Sequence, residues 1–160
     1  MGQEGVENST LGYKGFARID EEASIDKVHT TPANRAESPE FEAMIEGASA
    51  QRVLADKAYA SRANRKALRG RHRDGLMRKA ARNRPLRQSE KRFNKLISRR
   101  RFQVEQCFGT MKRLFGLHRA RYFGQAKTHA QLAFAAIGHN LLKAANKITF
   151  KTQTPAIATS

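Results

Sequence analysis

The sequence predicts a mixed α/β domain, and three observations indicate this class. Two short segments near the N-terminus alternate apolar and polar residues, as a β-hairpin does. Two long segments in the C-terminal half carry apolar residues at helical spacing. Short apolar and helical patterns lie between them, so the predicted order of elements is β-β-α-β-α-(β)-α-α. At 160 residues the chain has room for one domain with a single core.

The predicted hairpin occupies the first part of this pattern. Residues 12–19 and 25–31 alternate, and the polar stretch 20–24 between them predicts the turn. Pro32 ends the second strand because proline cannot donate a backbone hydrogen bond.

The middle of the chain predicts four short elements. They are a helix with Ser38 as its N-cap that ends near Gly47, a strand from Arg52 to Ala55, a helix from Ser61 to Arg69, and one more brief strand at Leu76-Met77.

The two long helices complete the domain. Ser89 is the predicted cap of a helix over residues 90–115, whose apolar residues fall close to one stripe, and Gly116 ends it. The second helix, over residues 128–146, is apolar on most sides. We therefore expect it to be the more buried of the two.

The two ends of the chain show no periodicity. We expect residues 1–11 and 149–160 to be disordered and residues 12–148 to form the domain. The single cysteine, Cys107, excludes an internal disulfide and is expected to be a small core residue. No apolar run approaches the roughly 18 residues of a membrane span, which predicts a soluble, cytoplasmic protein without a membrane partner.

The charge is distributed unevenly. Residues 1–50 hold 4 basic and 10 acidic residues, a net charge of −6, and residues 51–160 hold 27 basic and 4 acidic residues, a net charge of +23. The sum is +17, whereas solubility alone needs a net charge of about 2–8 in a small domain. The second part is therefore predicted to bind a polyanion, most simply nucleic acid.

Glu105 is the most unusual residue of the basic part. On a helical projection Arg101, Glu105, Phe108 and Lys112 lie within an arc of roughly 60°, beside the apolar stripe. The simplest interpretation is an Arg101–Glu105 ion pair within the helix, worth about 0.3–0.5 kcal/mol.

A second isolated acid changes that interpretation. Asp56 directly follows the predicted strand, at the position where open α/β sheets bind ligands. Two carboxylates there could hold a divalent cation for phosphoryl transfer. The alternative for Asp56 is a turn residue or a helix N-cap.

Several segments, taken in order, resemble one family. They are Gly12-Tyr13-Lys14-Gly15, Val28-His29-Thr30-Thr31-Pro32-Ala33-Asn34, Ala55-Asp56-Lys57-Ala58-Tyr59-Ala60-Ser61, Arg82-Asn83-Arg84-Pro85-Leu86, Asn94-Lys95-Leu96-Ile97-Ser98, Val104-Glu105-Gln106-Cys107-Phe108-Gly109-Thr110-Met111-Lys112-Arg113, Arg119-Ala120-Arg121-Tyr122-Phe123-Gly124 and Asn140-Leu141-Leu142-Lys143. Over residues 12–148 the chain resembles the DDE transposases of bacterial insertion sequences, most closely the insertion-sequence 5 group.

The resemblance implies an α/β fold of the ribonuclease-H-like type, with a mixed sheet and flanking helices. It implies that Asp56 and Glu105 are the second and third catalytic acids and bind Mg²⁺ or Mn²⁺. It also implies that Arg101, Lys112, Arg113 and Lys57 contact DNA. Ser98 stands where the tyrosine-arginine-glutamate-lysine signature of these enzymes has its tyrosine, so the chain departs from the family there.

The start of the chain departs further from the family. The resemblance places the first aspartate on a strand upstream of Gly12, but residues 1–11 contain no aspartate. We therefore expect an N-terminally truncated, catalytically defective transposase that lacks its first strand. Asp20 and Asp26 are the candidate replacements, although a turn and a strand are the better assignments for them.

Three functions follow from these expectations. The first is a transposase, acting on the DNA of element ends and target, with a second copy or a parent transposase as protein partner. The second is a DNA-binding regulator of the parent transposase, without chemistry of its own. The third, an unrelated basic nucleic-acid-binding protein, requires Asp56 and Glu105 to lie far apart.

Overall fold

A computed structural model describes the backbone of residues 12–152 and the side chains of residues 12–148. The elements are, in chain order, β1 (Tyr13–Ile19), β2 (Ile25–Pro32), a 3-10 helix (Ser38–Glu40) that continues into α1 (Phe41–Ile45), β3 (Arg52–Ala55), a 3-10 helix (Lys57–Tyr59), α2 (Arg62–Leu68), β4 (Arg73–Leu76), α3 (Gln88–Leu114) and α4 (Gln125–Thr152). The segment 1–11, predicted to be disordered, lies outside the described residues.

The predicted mixed α/β class is confirmed, but the single mixed sheet is not what the described strands form. β1 and β2 make an antiparallel two-stranded sheet, and β3 and β4 make a separate parallel one. The alternation of the strands does not show whether the two pairs are joined, and within the described residues they form two small sheets.

The predicted hairpin is confirmed, together with its turn. Tyr13 pairs with Pro32 at the open end, and a bulge lies between Arg18 and Ile19. The Asp20 carboxylate accepts a hydrogen bond from the Ser24 backbone N–H at 2.8 Å and closes the turn. Asp20 therefore has the turn role that its position predicts.

Two predicted helix caps were wrong. Ser38 is the first residue of its 3-10 helix, and its hydroxyl oxygen accepts a hydrogen bond from the Asn64 side chain. The long helix begins at Gln88 rather than after Ser89. It begins there because the Glu90 carboxylate reaches back to the backbone N–H of Arg87, at 2.9 Å.

The first core lies where α3 and α4 meet the hairpin. It is built around Ile25, Cys107, Met111, Leu132, Ala135 and Ala136. Cys107 is buried there, as predicted for a core residue, and burial raises the pKa of its thiol. The Asn140 amide both accepts from the N–H and donates to the C=O of Ile25, at 2.9 and 2.8 Å. These two bonds fix the rotation of α4 about its own axis.

The expectation that α4 is the more buried of the two long helices is confirmed, since a smaller share of its described residues is exposed than of α3, but α4 is not buried on most sides. Only one side of α4 packs on the hairpin and α3, and Phe134, Ile137 and Leu141 on the other side are exposed. The helix is also longer than predicted, because its backbone runs to Thr152 and includes the first four residues of the predicted tail. Residues 153–160 lie outside the described part.

The second core joins α1, α2 and the β3–β4 sheet through Phe41, Ile45, Leu68 and Leu76. Asp74 on β4 lies beside it. Burial opposes ionisation of its carboxyl, but the Leu76 backbone N–H, Arg78 at 2.9 Å and Arg65 outweigh burial and hold the pKa of Asp74 below its usual value. No helix of the described residues is long and apolar enough to cross a membrane.

Candidate active site

Asp56 lies where β3 ends and the next helix begins. Its carboxylate accepts a hydrogen bond from the Lys57 backbone N–H, so it is the N-cap of the 3-10 helix Lys57–Tyr59. The side chain is still 35% exposed, which leaves the second carboxylate oxygen available to another partner. Asp56 therefore has the helix-cap role that was predicted as its alternative. The cap uses only one of its two carboxylate oxygens.

That second partner is Arg101, which connects the two isolated acids. Its guanidinium Nη1 lies 3.2 Å from Asp56 Oδ2, and its Nη2 lies 4.0 Å from Glu105 Oε1. Asp56 and Glu105 are 49 residues apart in the sequence, yet one guanidinium contacts both. The ion pair predicted within the helix is present, but its distance is at the outer limit for such a pair. The third function, an unrelated basic nucleic-acid-binding protein, required Asp56 and Glu105 to lie far apart, and they do not.

We call Asp56, Arg101 and Glu105 the acid–arginine cluster. Glu105 is 61% exposed and Arg101 is 26% exposed. The cluster carries two negative charges and one positive charge, so it is a single net negative charge on the basic part of the chain. Because it opens to solvent, a ligand can reach both carboxylates.

Tyr59 lies within electrostatic reach of this cluster, and sequence reasoning did not single it out. Its ring packs against Phe41, with the ring centroids 5.7 Å apart. Burial raises the pKa of Tyr59 to about 12, nearby Glu37 adds to the rise, and Arg101 opposes it. The signal available in the sequence was its position at the end of the helix that Asp56 caps.

Asn64 is the second residue that sequence reasoning missed. It is buried, and its side-chain amide donates to the Tyr59 carbonyl at 3.0 Å and to the Ser38 carbonyl and hydroxyl at 3.1 Å. Through these bonds α2 holds the segment that follows Asp56 against the 3-10 helix Ser38–Glu40. Asn64 therefore positions the segment that carries Asp56, and no sequence pattern distinguishes it from a surface asparagine.

The other predicted DNA-binding residues lie at different distances from the cluster. Lys57 directly follows Asp56 and is exposed. Lys112 lies on the same side of α3 as Glu105, about 10.5 Å further along at about 1.5 Å per residue. Arg113 lies elsewhere, because it lines an open cleft of about 510 Å³ between α3 and α4 together with Cys107 and Lys143. The structure thus places Lys57 and Lys112, but not Arg113, near the acids.

A third carboxylate does not join the cluster within residues 12–152. No group of three or more histidine, cysteine, aspartate or glutamate side chains in that range is arranged to hold a metal ion. Both candidate replacements for the first acid are bound in the hairpin: Asp20 closes the turn, and Asp26 pairs with Arg18 at 2.9 Å. The described residues therefore do not fit a divalent ion by themselves, because they offer two carboxylates with a guanidinium between them.

The fold and the cluster define a mixed α/β domain in which one arginine connects an acid at the end of β3 with an acid on α3. The chain belongs to the transposase DDE domain family, whose model matches residues 3–141. It is 45% identical over 141 residues to a transposase for insertion sequence element IS1106 from Neisseria meningitidis serogroup B. That alignment covers 87% of this chain and 49% of the relative, so the chain spans about half the length of the curated relative. No solved structure matches the chain.

Proposed function

We propose that this chain acts in DNA transposition, as part of a catalytic domain that cuts and joins DNA by phosphoryl transfer. The observation that carries the proposal is the acid–arginine cluster. Asp56 and Glu105, predicted as the second and third acids, contact the same guanidinium despite their separation in sequence. Membership of the transposase family and the similarity to an insertion-sequence transposase support it. The fold that we infer for the whole domain is ribonuclease-H-like, with the insertion-sequence 5 group as its relatives.

DNA is the partner that the charge of the chain favours. A net charge of +23 over residues 51–160 supplies the electrostatic attraction, and Lys57 and Lys112 place two exposed cations near the cluster. Neither lysine makes an ion pair with another described side chain, so both are available to phosphates. Arg101 differs from them, because its charge is already shared between two carboxylates.

Enzymes of this family generally use divalent metal ions, and Mg²⁺ or Mn²⁺ is the ion that we propose for the complete site. Carboxylate oxygens are the ligands that these hard cations prefer. When bound, such ions stabilise the attacking and leaving oxygens of an in-line phosphoryl transfer. The residues described here supply two such ligands, and Arg101 competes for both. We therefore propose that they complete a metal site only with a further carboxylate from outside residues 12–152.

The second candidate function is a DNA-binding regulator that has no chemistry of its own. The observation that favours it is the absence of a third acid beside Asp56 and Glu105 among residues 12–152. Such a protein would compete with a parent transposase for DNA or join its assembly. Both functions predict DNA binding without metal, and only the first predicts metal-dependent cutting once the site is complete.

Binding to duplex DNA, measured by fluorescence anisotropy in EDTA over a range of salt concentrations, tests the part that both functions share. We expect log Kd to rise linearly with log salt concentration, because bound cations release counterions from DNA. Lys112→Gln should lower the slope by about 1, since one phosphate contact is lost. Lys27→Gln is the matched control, because Lys27 faces Glu46 in the acidic part. Equal effects of the two substitutions would contradict a DNA contact at Lys112.

A further inference from the structure

The outward side of α4 carries a row of exposed apolar side chains. Phe134 is 73% exposed, Ile137 is 54% exposed and Leu141 is 66% exposed. The spacing of three and then four residues is the a/d spacing of a coiled coil, and the exposed Ala130, Ala144 and Ile148 extend it in both directions. We call these six residues the α4 seam. A continuous row of exposed apolar side chains is typical of an interaction site.

The α4 seam cannot turn inward to become part of the core. Leu132, Ala135 and Ala136 already pack against the hairpin and α3 on the opposite side of the helix. Asn140 holds that side to the Ile25 backbone through two hydrogen bonds, and the Gln125 side chain donates to the Thr30 carbonyl at 2.8 Å. The orientation of α4 is therefore fixed, and the seam faces away from the domain.

The charge of the seam limits what can cover it. From Thr128 to Leu142 the helix contains no lysine, arginine, aspartate or glutamate, although the chain holds 31 lysines and arginines. DNA is a poor occupant, because this stretch offers no permanent cation to a phosphate. A second copy of the chain meets little repulsion there, whereas two basic faces of a protein of charge +17 would repel each other.

We propose that the α4 seam pairs with the α4 seam of a second copy in an antiparallel, two-fold symmetric arrangement. In antiparallel coiled-coil layers each a residue faces a d residue of the partner. Ile137 then faces Leu141 of the other copy, Phe134 faces Ala144, and Ala130 faces Ile148. Each layer outside the central pair sets a large side chain against a small one, so the layers fill evenly. Parallel pairing would set Phe134 against itself and leave gaps at the alanines.

The strength of this contact follows from its length. Ala130 to Ile148 is fewer than three heptads, which is shorter than the three to four heptads of a stable coiled coil. The dimer should therefore be weak and dependent on protein concentration. Lys147 adds little repulsion, because it is paired with Glu22 of its own chain, but the exposed Lys127, three residues before Ala130, places a positive charge at each end of the contact and weakens it further.

Sedimentation equilibrium of the 160-residue chain over a wide concentration range tests the proposal. We expect reversible dimerisation that Leu141→Asn weakens at least tenfold. Leu96→Asn is the matched control: Leu96 on α3 is 59% exposed and lies outside the seam, so its substitution should leave the dimer unchanged. Both side chains are exposed, so both variants should keep the circular dichroism spectrum of the parent. A protein that stays monomeric at every concentration overturns the proposal. Equal weakening by both variants also overturns it.

Cysteine cross-linking tests the antiparallel geometry separately. Mixing Ile137→Cys with Leu141→Cys should give a disulfide-linked dimer under mild oxidation, whereas Phe134→Cys alone should not. The native Cys107 is buried and should not form disulfides in this assay. Efficient self-linking of Phe134→Cys would show parallel pairing and would contradict the proposed arrangement.

Discussion

Substitutions in the acid–arginine cluster should change the affinity for DNA in opposite directions, depending on whether an acid or the arginine is removed. In the absence of metal the cluster has a net charge of −1, since one guanidinium contacts two carboxylates. Asp56→Asn makes it neutral, whereas Arg101→Ala leaves it at −2. If the cluster faces DNA, the first substitution should tighten binding in EDTA and the second should weaken it.

The expected size of the effect follows from Coulomb's law. A unit charge about 7 Å from a phosphate, screened as in water, contributes about 0.6 kcal/mol, which is about threefold in Kd. We therefore expect roughly threefold tighter binding for Asp56→Asn and roughly threefold weaker binding for Arg101→Ala. The double variant retains only the charge of Glu105, so its Kd should return close to that of the parent.

These substitutions should not disturb the fold. Asparagine still caps the helix after residue 56. The Arg101 pairs are partly exposed and contribute at most about 1 kcal/mol, which is about 2–4 °C in Tm for a protein of this size.

Fluorescence anisotropy with a labelled duplex at low salt measures the change in Kd. Glu46→Gln is the matched control, because it removes one negative charge from an 81% exposed side chain in the acidic part. The reasoning is refuted if Asp56→Asn weakens binding, or if Glu46→Gln tightens it as much as Asp56→Asn does.

Three further predictions concern stability and ionisation. Gly109→Ala should stabilise α3 by about 1 kcal/mol, since nothing lies within 4 Å of the added carbon. Gly138→Ala should be less stable than Gly109→Ala by about 1–3 kcal/mol, because its added carbon would lie 2.6 Å from the Phe115 ring; equal Tm values in thermal melts would contradict this packing. The absorbance difference between the parent and Tyr59→Phe should titrate near pH 12, and titration near pH 10 would show that the hydroxyl is not buried. The pKa of Asp74 is lower in the folded state than in the unfolded state, where it is about 4. The Asp74 carboxylate therefore stabilises the fold above about pH 4. This stabilisation is lost as the pH falls through the pKa of the folded state. Urea unfolding should therefore show a stability gap between the parent and Asp74→Asn that narrows in acid, and a gap independent of pH would argue against the ion pairs of Asp74.

Local patterns predicted most of the secondary structure, because local interactions determine it. The hairpin, β3 and α2 follow from alternation, an apolar run and a short helical pattern that begins at Ser61, each visible within a few residues. The start of α3 was placed two residues late because a serine is a common cap. The capping bond made there, in which the Glu90 carboxylate accepts from the Arg87 backbone N–H, depends on the geometry of that turn.

Tertiary relations were harder to predict. Composition predicted correctly that α4 is the more buried long helix, but it did not predict the exposed side of α4, because burial depends on what surrounds a helix and only one side of α4 has neighbours within the described chain. Helical spacing predicted the proximity of Arg101 to Glu105. No spacing rule predicted its contact with Asp56, because that contact depends on how α3 packs against β3. The roles of Tyr59 and Asn64 likewise depend on contacts distant in sequence.

Cutting of DNA that carries insertion-sequence ends, assayed with Mg²⁺ or Mn²⁺, tests the account most directly. The parent chain, Asp56→Asn and Glu105→Gln should be compared at protein concentrations that saturate the DNA. Because residues 12–152 supply two carboxylates and no third, the account predicts DNA binding by all three proteins and no metal-dependent nicking by any of them. Nicking by the parent that Glu105→Gln abolishes would contradict it, and would show that this chain assembles a complete site on its own.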